Sequence, residues 1–173
     1  MSVRPSASPL LAIMAAAVAL SACASGPAVG PMIPVEDGAF DAADFAWSTA
    51  PGSAAIQGRV EYRPQGVAHT CVGSVGLVPD TPYTRARFQT LYGSTDRAVV
   101  PEAVVRARNV PDPTADYRGF TRSTVCADNR FGLTDLPDGG WFLIVPVAAP
   151  NGERLVMMRR VQTRGGPVSI SLN

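Results

Sequence analysis

Few residues of this chain could carry chemistry on their own. There is one histidine, His69, three cysteines, Cys23, Cys71 and Cys126, and all 15 basic residues are arginine, with no lysine anywhere. The missing lysine removes Schiff-base catalysis and the phosphate-clamping lysine of P-loops. A Ser-His-Asp arrangement would have to run through His69. Ser74 follows it closely, but Val72-Gly73-Ser74-Val75-Gly76 lacks the first glycine of a G-x-S-x-G elbow. His69 sits at the edge of a predicted strand and reads as an exposed turn residue. Asp135 and Asp138 flank a turn that needs such residues for its own geometry, which argues against a glycosidase pair. Cys71, Cys126 and His69 fall short of a zinc ligand set, and no C-x-x-C pair is present. The residues therefore imply no metal and no cofactor, and they favour a non-catalytic protein over a hydrolase built on His69.

The N-terminal segment carries an address. Met1 to Arg4 bears one positive charge, and Leu10 to Leu20 is an 11-residue apolar run. Such a run spans about 17 Å as a helix, too short for a hydrocarbon core of about 30 Å, and it fits a signal peptide over residues 1–22. Leu20-Ser21-Ala22-Cys23 resembles the lipobox of bacterial lipoproteins. In that class the cysteine becomes the first mature residue and is acylated, so the resemblance implies a membrane anchor at Cys23. With Ala24 behind it, the sorting rule of enteric bacteria implies an outer-membrane lipoprotein facing the periplasm or the cell surface. The competing reading is an ordinary secreted protein with a cysteine at its cleavage site. If Cys23 is lipidated, Cys71 and Cys126 are left in an oxidising compartment, where they should pair.

Residues 23–52 contain four carboxylates and no basic residue and read as an acidic tether with Pro and Gly. Phe40, Phe45 and Trp47 complicate that picture, because three aromatics so close together are expected to dock, at least in part, on the domain that follows. From Ala54 onward 14 arginines face 10 carboxylates, a net charge of +4. That balance suits phosphorylated lipid headgroups or carboxylate-rich envelope polymers, or it simply solvates a β-surface. Nothing points to nucleic acid.

The elements that must position these residues are mostly strands. Ile56, Gly58, Val60 and Tyr62 alternate with polar residues, and Cys71 to Val78 forms a second run ended by Pro79. Thr84 is placed to cap a one- or two-turn helix carrying Phe88, Leu91 and Tyr92, with Gly93 at its end. Residues 94–116 permit two readings, a helix from Pro101-Glu102 or a strand over Val104 to Val110. Strands follow at Phe120 to Cys126 and Phe131 to Leu133, with Asp128-Asn129 as the turn between them. Leu136 to Gly140 is a further turn. Trp141 to Val147 is apolar at every position and predicts a strand buried on both faces or at a sheet interface. Asn151-Gly152 then turns the chain into Arg154 to Val161, and Pro167 to Leu172 is the last strand.

Ile56-Gln57-Gly58-Arg59-Val60, Gly73-Ser74-Val75-Gly76-Leu77 and Asp128-Asn129-Arg130-Phe131-Gly132-Leu133-Thr134-Asp135-Leu136-Pro137-Asp138-Gly139-Gly140-Trp141 resemble the carboxypeptidase regulatory-like domains and the collagen-adhesin B-type repeats. The likeness implies a mainly β fold, a prealbumin-like β-sandwich of about seven strands over residues 53–173. One short helix would lie in an insertion at 79–119. Arg130 stands where the family usually has glycine. Many adhesin repeats of this kind carry a lysine-based isopeptide bond, which this chain cannot form, and a Cys71–Cys126 bridge could hold the insertion to the sandwich instead. The candidate binding surface is the mix of Tyr83, Arg85, Arg87, Tyr92, Arg106, Arg108, Tyr117 and Arg118 in and beside the insertion. It could grip an envelope polysaccharide, a lipid headgroup or another envelope protein. The opposing reading is that Phe88, Tyr92 and Tyr117 cover the core and the arginines solvate it. The expected role is a cell-envelope lipoprotein presenting a structural or ligand-presenting domain, the alternative being a carbohydrate or envelope-polymer binding module.

Overall fold

Alternation of apolar and polar residues sets the first strand, β1 (Ala54–Val60), with Ile56, Gly58 and Val60 turned inward and Gln57 and Arg59 outward. The structure, a computed structural model, describes residues 38–108, 110 and 115–173. Cys23, the signal segment 1–22 and the tether as far as residue 37 lie outside the described residues, as do 109 and 111–114 of the insertion.

After β1 come β2 (Thr70–Cys71), β3 (Ser74–Pro79), β4 (Arg97–Pro101), β5 (Arg122–Val125), β6 (Arg130–Leu136), β7 (Gly139–Ala148), β8 (Arg154–Thr163) and β9 (Pro167–Leu172). Among the described residues there are three α-helices: α1 (Ala42–Phe45) ahead of β1, α2 (Pro82–Tyr92) between β3 and β4, and α3 (Glu102–Ala107) between β4 and β5. The strands form two sheets. The small one has the order β6-β1-β9, antiparallel on one side of β1 and parallel on the other. The large one has the order β4-β8-β7-β3-β5, with β2 also pairing β7.

The fold is thus mainly β and sandwich-like, as the alternating patterns predict, with more strands than the expected seven and more helix than the single short one. Ile56, Leu77, Leu133, Leu136, Trp141, Leu143, Val145 and Met157 meet between the sheets in one core. A second cluster, Val78, Phe88, Phe142 and Met158, lies on the outer side of the large sheet, where α2 covers it. The uninterrupted apolar run in β7 follows from this: Trp141, Leu143, Val145 and Val147 fill the inner core while Phe142 faces α2.

Turn chemistry fixes the registers. Asp128 and Asn129 both have positive φ and join β5 to β6 through paired hydrogen bonds between Ala127 and Arg130, the pattern of a two-residue hairpin. Asn129 then ties the turn down, its side-chain Oδ1 accepting from the Cys71 amide at 2.9 Å and its carbonyl from the Val60 amide at 2.9 Å. Gly58 is required by packing, since the Phe131 ring from β6 folds over it and leaves no room for a Cβ. Cys71 and Cys126 form the expected disulfide, Cα atoms 6.1 Å apart. Closing 55 residues of chain stabilises by about 4 kcal/mol in the loop-entropy picture.

Two elements differ from their sequence reading. Helix α2 starts earlier than expected: Thr81 is its N-cap, and Thr84 is the N3 partner in a capping box, with Pro82 at N1 and Gly93 closing the end at φ 74°. It therefore runs three turns. Residues 94–116 contain both a strand and a helix, because Arg97–Pro101 pairs with β8 before Glu102 starts α3.

The packed chain also reaches back beyond β1. Asp41 caps α1 by accepting from the Ala43 amide at 2.9 Å, and Phe45, with 0 % exposure, sits among Phe40, Tyr83 and Phe120. Trp47 meets Trp141 edge-on at 4.9 Å and rests on the bare Cα of Gly139. Arg122 fastens this strap, donating to the carbonyls of Ser48 at 2.9 Å and Asp135 at 3.0 Å. The aromatics of the acidic segment dock, as their clustering predicts.

Candidate binding face

The surface that composition singles out, in and around α2 and α3, turns out to be occupied by its own contacts. Tyr83 is only 7 % exposed and packs against Phe40, Phe45 and Tyr117, so it belongs to the interior and not to a binding surface. Tyr92 lies edge-on to Phe88, and burial, reinforced by Tyr117, pushes its hydroxyl up to about 12 against the opposing pull of Arg87. Arg87 stacks over the Tyr117 ring at 5.3 Å. Arg85 and Arg160, from α2 and β8, each place Nε 2.5 Å from a different oxygen of Asp80, whose side chain is 1 % exposed. Arg106 pairs with Glu102 one turn away on α3, and Arg154 of β8 takes the other oxygen of the same carboxylate, both at 2.5 Å. Hydrogen bonds from Arg154 and then Arg106 hold the Glu102 carboxyl below its usual range. Arg108 donates to the Leu91 carbonyl at 2.5 Å, satisfying the last turn of α2. Arg118 is exposed beside Tyr117 in the 3₁₀ turn Ala115–Phe120. Of the eight residues, Tyr83, Arg87, Tyr92 and Tyr117 come together, but as the cover of the large sheet.

His69 also departs from expectation. It is 5 % exposed and not a solvent-facing turn residue. Its ring lies edge-on to Tyr62 at 5.2 Å, Nδ1 is 3.1 Å from the Val67 carbonyl, and its amide donates to the Tyr62 carbonyl. Among the described residues no acid or nucleophile hydrogen-bonds this ring, so a Ser-His-Asp geometry is not formed there. Nor, among the described residues, does any group of three or more His, Cys, Asp or Glu converge as a metal site.

The open surface is elsewhere, on the outer face of the small sheet. An open trough of about 880 Å³ runs there, lined by Gln57, Arg59, Arg130, Gly132, Ser169 and Ser171. The strand register builds it. Arg59 stands opposite Arg130 of β6 and Ser171 of β9, and Gln57 stands opposite Gly132 and Ser169. Two levels of side chains therefore cross all three strands, one cationic and one of amide and hydroxyl groups. Gly132 leaves the floor open, for a Cβ there would touch nothing within 4 Å. Val125 forms an apolar wall and is 71 % exposed. This face was not singled out from sequence, because Arg59 and Arg130 are distant in the chain. The signal that could have found it is the outward parity of Gln57 and Arg59 in β1 combined with that of Arg130 and Gly132 after the hairpin.

No protein-family model matches the sequence, and no curated protein matches it. Among solved structures, the chain is similar to a Pseudomonas aeruginosa protein provisionally described as a carbohydrate binding protein, with a TM-score of 0.51 and 19 % identity. The likeness covers 77 % of this chain and 96 % of that one. At that identity it is a likeness of fold. Among the described residues no helix is long and apolar enough to cross a membrane.

Proposed function

We propose that this chain is a non-catalytic binding module of the bacterial cell envelope, anchored through acylated Cys23, that holds a carbohydrate polymer on the outer face of its small sheet. The observation that carries this reading is the trough itself: a sheet face that no other described residue covers presents Gln57, Ser169, Arg59 and Arg130 as hydrogen-bond donors above an open glycine floor. Such groups match sugar hydroxyls, and the exposed Val125 gives a sugar ring an apolar surface to rest on. The similar structure described as a carbohydrate binding protein supports the reading by fold analogy. An acylated Cys23 would add a lipid anchor to that task.

Affinity electrophoresis of the mature protein through gels containing neutral and charged polysaccharides tests the binding. Retardation by at least one glycan is expected, and equal mobility in every gel would overturn it. The anchor is tested separately, since Cys23→Ser should abolish fatty-acid labelling and release the protein from the membrane fraction. Unchanged labelling would remove the lipoprotein part.

A further inference from the structure

The charge on the bare face is unevenly satisfied. On the covered side of the molecule one carboxylate serves two arginines, and each arginine reaches it: Arg85 and Arg160 on Asp80, Arg106 and Arg154 on Glu102. On the small sheet Arg59 pairs with Glu61 at 2.9 Å, and the Ser171 hydroxyl donates to the other oxygen of that carboxylate. Arg130, directly opposite Arg59, has no carboxylate partner among the described residues. Opposed residues on one face of an antiparallel pair hold their Cβ atoms about 5 Å apart, a distance at which like charges are unfavourable. The exposed faces of β1, β6 and β9 thus leave an uncompensated guanidinium at one end of the trough. Arg159 adds a cation at the other edge of the sheet, reaching from β8 to the Ser171 carbonyl of β9 at 3.2 Å.

We propose that the polymer held in the trough is acidic, a polysaccharide carrying carboxylate groups, as uronic acids do. This inference rests on the carbohydrate reading above. A carboxylate seats against Arg130 and Arg59, and the hydroxyls of the same or the next sugar meet Gln57 and Ser169 on the neighbouring level. Guanidinium groups suit this anion because their planar fork offers two parallel N–H donors to the two carboxylate oxygens. The Arg130-Arg59-Ser171 row crosses three strands and so spans about 10 Å, enough for a charged sugar flanked by a neutral contact.

The probes are polygalacturonate, dextran of similar length and inorganic polyphosphate, with the mature protein and two variants. Arg130→Gln removes the unpaired charge. Gly132→Val fills the open floor at a position where a Cβ meets nothing, so it tests the trough without endangering the fold. Expected are binding of polygalacturonate that weakens as salt is raised, a loss of about tenfold or more in Arg130→Gln, consistent with one charge-assisted contact, and loss of binding in Gly132→Val with unchanged thermal stability. Dextran bound as tightly as polygalacturonate would overturn the acidic assignment while leaving the carbohydrate reading standing. So would polyphosphate bound equally well with the same sensitivity to Arg130→Gln. Full affinity in both variants would overturn the site, and no binding of any glycan would overturn both readings together.

Discussion

The two sheets of this sandwich treat their outer faces in opposite ways. The large sheet is roofed: α2 and the strap Phe40–Thr49 pack over and beside it, Phe142 and Phe88 meet at 4.7 Å, Arg85, Arg160, Arg106, Arg154 and Arg108 end on Asp80, Glu102 or a helix carbonyl, and Arg87 stacks on Tyr117. Among the described residues nothing roofs the small sheet, and Arg59 and Arg130 stand on its open face with one carboxylate, Glu61, paired to Arg59. Arginine beside aromatic residues therefore marks packing in one place, while arginine without aromatics marks the open surface in the other. The lesson is that an arginine's partners, more than its neighbours in sequence, decide whether it is available to a ligand.

The sharpest way to break that contrast is to cut into the roof. Phe142→Ala removes a ring with 0 % exposure from the outer cluster and should cost about 3–5 kcal/mol, seen as a lower denaturant midpoint. A cost below about 1 kcal/mol would mean that α2 does not seal the large sheet. Thr81→Ala, which dismantles the capping box, should cost about 1 kcal/mol and loosen α2 in hydrogen exchange while leaving β1, β6 and β9 unchanged.

pH sharpens the same comparison. The Tyr92 hydroxyl is raised by burial to about 12, above its unfolded value near 10. The stability it contributes is therefore fully present below about pH 10 and is lost as pH rises through about 12. Ultraviolet titration should show a tyrosine step near pH 12, and Tyr92→Phe should remove that step. The smallest effect is expected on the bare face, where Arg130→Gln should change stability by less than about 0.5 kcal/mol, or raise it slightly by relieving the repulsion with Arg59.

Much of this contrast could be read from residues, and the rest could not, for physical reasons. The double-sided burial of β7 was legible because apolar residues occupy both parities from Trp141 to Val147. The Asp128-Asn129 and Asn151-Gly152 turns were legible because those residue types tolerate positive φ, which Asp128, Asn129 and Gly152 adopt. The N-cap is Thr81 and not Thr84, and the signal for it in the sequence is Pro82 behind it, the mark of a first helical position. Strand β4 was illegible because its formation depends on pairing with β8, a contact between residues some 60 apart. The binding face shares that difficulty. Arg59 and Arg130 become neighbours only through the β1–β6 register, whereas the arginines and tyrosines of the insertion are adjacent in sequence and drew attention to a surface that the fold uses for packing.

The most direct test is a backbone amide chemical-shift map of the mature protein titrated with polygalacturonate. Binding on the bare face predicts perturbed amides at Gln57, Arg59, Arg130, Gly132 and Ser169, with α2 and α3 silent. Perturbations confined to α2 and α3, around Tyr92, Arg106 and Arg108, would contradict it and return the binding surface to the insertion.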